Sequence, residues 1–353
     1  MFMRRSLLLA LLVAASVAPS AHAGQESPLP AGACATEGPV GTPYATGVNC
    51  RVVEVDGHPR RFVVYVPVRP PVTGSRRPVV FMFHGSTGTG EQFLGSSGWR
   101  EQADATGLVA VFPTGLRYRV LDSGRLSTKW NAFDLAEEVD LDERPDGYPD
   151  DAPWPANDVG FVDSIMGDLG ARLPIDRTRV YASGFSNGAG FAARLAVERS
   201  QLLAAAAFSA SALPAAQVAL RPTPMWLVVG ALDDRILAQT GPPPLTELPL
   251  DPAALLAVPV VGSTVDAHLA TAGLDEQPVS TLALRHSTAF RWPAVGAGPG
   301  GGVFRFSLLA GLGHHYPHVR NNDAGFEAAP EFWDFFSQHR LVTPAAASRP
   351  APR

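Results

Sequence analysis

The sequence predicts an α/β protein built on a mainly parallel sheet with helices on both faces. A hairpin-like segment near the start is followed by strand and helix patterns that alternate almost to the end. Several of the strands are short, continuous apolar runs, as expected where a parallel sheet is covered on both faces. At residues 179–191, RVYASGFSNGAGF, a strand turns sharply into a helix, with Ser186 at the turn between Gly184 and Gly188.

Residues 1–23 have a basic start at Arg4 and Arg5, an apolar run from Leu7 to Val17 and a small-x-small end at Ala21-His22-Ala23, the pattern of a secretory signal peptide. The apolar run is shorter than the ~20 residues of a membrane span, and no later stretch approaches that length. The mature chain is expected to begin near Gly24 and to be exported, to the medium or a periplasm. Residues 24–50 form an N-terminal segment holding the two cysteines of the chain, Cys34 and Cys50. In an oxidising compartment their simplest reading is one disulfide, and two lone cysteines do not make a four-ligand zinc site. Residues 51–341 are read as the folded catalytic unit, and 342–353, rich in Pro and Ala, as a disordered tail.

Hydrophobic residues make up 46% and charged residues 17% of the chain, enough apolar material for a sizeable core. The formal charge of -5 becomes about -7 once Arg4 and Arg5 are removed, and no basic cluster exists, which argues against nucleic-acid partners.

Within the folded unit, residues 51–68 read as a hairpin turning at Asp56-Gly57. PVVFMFHG at 78–85 is a buried strand ending in histidine and glycine, 99–106 a short helix, and LVAVFP at 108–113 the next strand. Residues 130–155 read as irregular, acidic and aromatic. Asn157 or Asp158 caps a helix that places Val162, Ile165, Met166 and Leu169 on one face, with Asp158 most simply a cap. The strand and helix around Ser186 follow, then strands at 204–210 and 224–230, a Pro-rich loop at 241–259, a helix near 263–272, strands at 279–283 and 303–308, and a final helix near 325–339.

In an open parallel sheet, reactive groups collect beyond the carboxyl ends of the strands. Four strand ends here carry such groups: His84-Gly85-Ser86, Ser186, Asp233-Asp234 and His314-His315. A serine hydroxyl becomes a nucleophile when an imidazole takes its proton, and the imidazole needs a carboxylate to fix its tautomer. The order Ser, Asp, His along the chain is that of α/β-hydrolases. The chain resembles the secreted esterase family of polyhydroxybutyrate depolymerases and feruloyl esterases. The likeness is carried by HGS at His84, NDVGFVD at Asn157, IDRTRVYASGFSNGAGF at Ile175, GALDD at Gly230, GLGHHYP at Gly311 and FWDFF at Phe332.

The resemblance implies an α/β-hydrolase fold with Ser186 as nucleophile, Asp233 as the acid, His314 as the base, and an oxyanion hole made by the backbone N–H groups of Ser86 and Asn187. Asp234 and His315 are adjacent alternatives for two of these roles. It implies no metal and no cofactor. The expected partner is an ester of plant polysaccharide, feruloyl or acetyl, or a short hydroxyalkanoate ester. A serine peptidase, or a non-catalytic binding protein on the same scaffold, are the competing readings. His84 is read as structural. Trp130 and Trp154 are candidates for a substrate pocket, evenly weighed against core packing. The acidic stretch 134–151 does not space its oxygens as a regular calcium loop, which needs glycine sixth and glutamate twelfth, and reads as a solvated loop bordering the active face, with an irregular calcium site as the alternative.

Overall fold

The computed structural model describes residues 34, 38, 41–71, 76–145, 147–275, 277–278, 280–293 and 303–342. The expected signal peptide and the tail after Thr343 lie outside the described residues. In chain order the elements are β1 (Gly47–Val55), β2 (His58–Val66), β3 (Arg77–Phe83), α1 (Gly90–Ser96), α2 (Trp99–Thr106), β4 (Val109–Pro113), β5 (Leu116–Arg119), β6 (Leu126–Lys129) and α3 (Leu135–Glu138). Next come α4 (Asp158–Arg172), β7 (Ile175–Phe185), α5 (Asn187–Glu198), β8 (Ala205–Ser209), β9 (Met225–Gly230), α6 (Asp234–Leu237), α7 (Pro252–Leu256) and α8 (Pro259–Ala272). The last are β10 (Ser280–Leu284), β11 (Ser287–Pro293), β12 (Val303–Leu309) and α9 (Ala328–Ser337).

Ten strands form one sheet in the order β1-β2-β4-β3-β7-β8-β9-β12-β11-β10. The six from β4 to β12 run parallel. An antiparallel hairpin extends each side: β1-β2, with β2 antiparallel to β4, and β11-β10, with β11 antiparallel to β12. The β1-β2 turn falls at Asp56-Gly57, both at positive φ (50° and 76°), as a tight hairpin turn requires.

Successive side chains on the central strands point to opposite faces, and both faces are dry. Val79, Phe81, Phe83, Val180, Ala182, Ala206, Phe208 and Leu227 pack under α4, α5 and α8. Val80, Met82, Ala110, Tyr181, Ala207 and Trp226 face the other way, against α1, α2 and α9. This two-sided burial is why the central strands read as unbroken apolar runs. Truncating a fully buried Phe such as Phe81 to Ala would cost ~3–5 kcal/mol.

The segment before the sheet is tied down by a disulfide between Cys34 and Cys50 and by a hydrogen bond from Gly38 N to Cys50 O (3.0 Å).

Four readings of the sequence need correction. The helix cap of α4 is Asn157, whose side chain accepts from Gly160 N at 2.8 Å. Asp158 instead forms a fully buried ion pair with Arg60 of β2 and accepts from Asn131 N at 2.6 Å. Removing one partner would leave an uncompensated buried charge, a cost of ~3–5 kcal/mol. The stretch 134–151 is also more than a solvated loop. Leu135, Val139 and Tyr148 bury against Tyr118 and Ala156 in a small core of their own, and Glu138 and Glu143 pair with Lys129 and Arg119. Finally, a two-stranded β5-β6 sheet and strand β11 occupy segments assigned no structure from the sequence. The helix expected near 263–272 begins earlier, at Pro259, where proline suits a first helical position.

Candidate active site

Ser186 sits where β7 becomes α5, with φ 52° and ψ -127°, a conformation that a side chain adopts only when its surroundings enforce it. The two flanking glycines are enforced by contact. A Cβ on Gly184 would lie 2.2 Å from the Gly188 carbonyl oxygen, and one on Gly188 would lie 2.4 Å from the carbonyl oxygens of both Phe83 and His84. Strand β3, strand β7 and helix α5 therefore meet backbone to backbone, and the hydroxyl is lifted beyond the sheet. The turn is anchored by Ser186 N donating to Ser209 O at 2.9 Å.

His314 Nε2 lies 2.8 Å from Ser186 Oγ, and His314 Nδ1 lies 3.0 Å from each carboxylate oxygen of Asp233. Two carboxylate oxygens at Nδ1 require a hydrogen there, which leaves the Nε2 lone pair facing the serine hydroxyl. Asp233 is fully buried and caps α6, accepting from Arg235 N (3.0 Å) and Ile236 N (3.4 Å). The loops carrying the two residues are knit together by hydrogen bonds from Ala231 N to Leu309 O and from Leu232 N to Leu312 O, both 2.9 Å. The neighbours Asp234 and His315 are exposed, and neither makes the contacts of Asp233 and His314.

Ser86 and Asn187 both line the cleft at Ser186. Asn187 is the first residue of α5, so its N–H has no acceptor within the helix. Its side chain is occupied elsewhere: Oδ1 accepts from Trp130 N at 2.6 Å and Nδ2 donates to Trp130 O at 3.2 Å. The 84–88 loop is fixed by His84, whose Nδ1 donates to Gly85 O (2.7 Å) while its Nε2 accepts from Gly115 N (2.9 Å). Burial lowers the His84 pKa to about 4, so the ring is a neutral strut.

The two tryptophans weighed between core packing and a substrate pocket do not line this cleft. Trp130 is fully buried, stacked on Phe191 at 5.2 Å with its Nε1 donating to His84 O at 2.9 Å. Trp154 stacks on Tyr118 at 5.1 Å and donates to Leu141 O at 2.7 Å, within the small core of the 118–156 region. Sequence reasoning missed what β6 does. Thr128 O accepts from Thr87 N (3.1 Å) and Thr128 Oγ1 donates to Gly88 O (2.6 Å), so residues 128–130 brace the 84–88 loop and Asn187 at once. Nothing in LSTK announces that role.

The cleft has a volume of about 910 Å³. Three of the four non-glycine residues at positive φ among the described residues, Thr87, Ser186 and Ala210, border it, so backbone strain is concentrated where the reactive groups converge. Asp233, Asp234 and His314 offer atoms close enough to hold a cation, but Asp233 and His314 already satisfy one another.

The strand order, the six parallel strands and the strained serine turn define an α/β-hydrolase fold carrying a Ser-His-Asp constellation. Among known proteins, the chain is 28% identical over 288 residues to a protein of Nocardia uniformis subsp. tsuyamanensis named "Putative esterase NocK", with 76% of each chain covered. Similar solved structures include an acetyl xylan esterase from Aspergillus awamori, with a TM-score of 0.48, 15% identity, and coverage of 79% of this chain and 94% of that one. An S-formylglutathione hydrolase from Agrobacterium tumefaciens has a TM-score of 0.47 and 14% identity, with coverage of 84% and 96%. No protein-family model matches the chain.

Proposed function

We propose that the protein is a serine carboxylesterase. The observation that carries the proposal is the unbroken chain of contacts from Ser186 Oγ to His314 Nε2 (2.8 Å) and from His314 Nδ1 to Asp233 (3.0 Å). The relative named as an esterase supports the reaction class.

In this reading Ser186 Oγ attacks the ester carbonyl while His314 Nε2 takes its proton, and Asp233 stabilises the imidazolium that forms. The amides of Ser86 and Asn187 receive the oxyanion, whose charge they stabilise only as the carbonyl becomes tetrahedral. His314 then returns its proton to the departing alcohol, leaving an acyl-serine. A water deprotonated by the same imidazole releases the acid. Every step uses groups of this chain and water.

The export pattern at residues 1–23 and the Cys34–Cys50 disulfide support action outside the cytoplasm. The sequence resemblance supports feruloyl or acetyl esters of polysaccharide, or short hydroxyalkanoate esters, as substrates.

Ser186→Ala is expected to abolish release of p-nitrophenol from a short acyl ester with the fold intact, and His314→Ala to do the same while His315→Ala stays active. More than a few per cent of activity in Ser186→Ala, or inactivity confined to His315→Ala, would overturn the assignment.

A further inference from the structure

The walls of the cleft differ in chemistry on the two sides of Ser186. In the sheet, β7 is central. Beyond it on one side stand β3 and β4, with the β5-β6 hairpin and α3 following β4; on the other stand β8, β9 and β12. The first side is mostly polar and contributes Arg125, Lys129, Asp134 and Glu138 to the cleft, with Val120 and Leu126 beside them. The second is mostly apolar, with Leu213, Leu227, Val229 and Phe306 among its residues, and carries Arg235 and Gln239 beside them.

Lys129 is the unusual member. Its side chain is 7% exposed, it borders the cleft, and its ammonium meets one acceptor, the Glu138 carboxylate. An ammonium has three N–H donors, and a nearly buried one is costly unless they are used. Because Lys129 borders the cleft, the donors that Glu138 does not take are the ones left for a substrate oxygen. Asp134 stands nearby, its carboxyl pKa raised by burial and then by Glu138. Two cations, Lys129 and Arg125, are matched by two carboxylates, Asp134 and Glu138. An anionic group there would face the carboxylates and a cationic one would face Lys129 and Arg125. A hydroxyl accepts from the lysine and donates to either carboxylate.

We propose that Lys129, Glu138 and Asp134 form a subsite for a neutral, hydroxyl-bearing group on one side of the scissile ester, opposite an apolar arm that takes a hydrocarbon group on the other. The substrate class is thus an amphipathic ester. This inference rests on the carboxylesterase reading and names the kind of ester that site takes.

The test compares kcat/KM for methyl hexanoate with two hydroxylated esters: glyceryl hexanoate, with hydroxyls on the alcohol, and hexyl glycerate, with hydroxyls on the acyl group. The wild type is expected to favour one of the two over methyl hexanoate by about tenfold or more, the worth of a charge-assisted hydrogen bond made in the transition state. Lys129→Met and, independently, Glu138→Gln are expected to bring that ratio to within about threefold of unity. The ratio is internal to each variant, so loss of folded protein does not imitate the result, and Glu138, whose side chain is 40% exposed, tolerates an isosteric change. Which hydroxylated ester is favoured fixes the direction in which the ester lies. Absence of preference for either in the wild type, or a preference that survives both substitutions, would overturn the subsite. Failure to cleave methyl hexanoate or any other ester would instead overturn the carboxylesterase reading.

Discussion

Trp130 makes no contact with the cleft, yet it touches both halves of the proposed oxyanion hole. Its indole N–H holds the His84 carbonyl, one residue before Gly85-Ser86, and its backbone holds the Asn187 side chain. Trp130→Phe keeps a ring against Phe83 and Phe191 but removes the donor to His84. Losing an oxyanion donor outright costs about 10²–10³-fold in kcat, so loosening one through its support is expected to cost about tenfold. The fall should appear in kcat with KM unchanged within about twofold, because the ring binds no substrate. Steady-state kinetics on one p-nitrophenyl ester checks this, and a rise in KM at unchanged kcat would return Trp130 to the substrate pocket. At this scale the sequence was informative where geometry forces a residue type. Gly184 and Gly188 cannot be replaced without a collision between backbones, and that necessity is visible as a spacing. Trp130 and Trp154 were ambiguous because an indole fills a core or a pocket equally well, and only its neighbours decide.

Elements differ in how clearly they were written. The strands β3, β4, β7 and β9 were legible because burial on both faces demands continuous apolar residues. β5 and β6 were not, since LRYR alternates over only four positions and LSTK has a single apolar residue, and it is β5 that packs into the Tyr118 core. Helix α8 holds a different surprise. His268 on its buried face stacks on the Phe304 ring at 4.6 Å, and burial lowers its pKa to about 4. His84 and His339 are lowered to about 4 for the same first cause. In the unfolded chain these groups bind protons below about pH 6.5. Between that pH and about 4 the unfolded state therefore binds more protons than the folded one, so stability falls as pH drops through this window and is fully present above it. Urea midpoints are expected to fall steadily from pH 7 to pH 4.5. His268→Phe, which keeps an aromatic ring against Phe304 and cannot titrate, should flatten part of that slope. A slope unchanged by the substitution would show that His268 does not titrate with folding.

On the scale of the whole molecule, the fold is a parallel core lengthened at both edges by antiparallel hairpins, with the first of them stapled to the N-terminal segment by the Cys34–Cys50 disulfide. Among the described residues no helix is long and apolar enough to cross a membrane. The second hairpin lies beyond β12, the strand that leads into His314, and β12 joins the other five parallel strands by pairing with β9. This arrangement has a kinetic consequence. The 84–88 loop, Ser186, Asp233 and His314 leave four different strands spread over most of the chain, and β3 pairs with β7 across a long intervening segment. Non-local pairing of this kind is slow, because loop-closure entropy is lost before the contacts that repay it exist. During refolding from denaturant with the disulfide intact, secondary structure and tryptophan burial are expected to recover ahead of hydrolysis, which must wait for β12 to dock. Catalytic power would then be the last property the chain acquires and, on unfolding, the first it gives up.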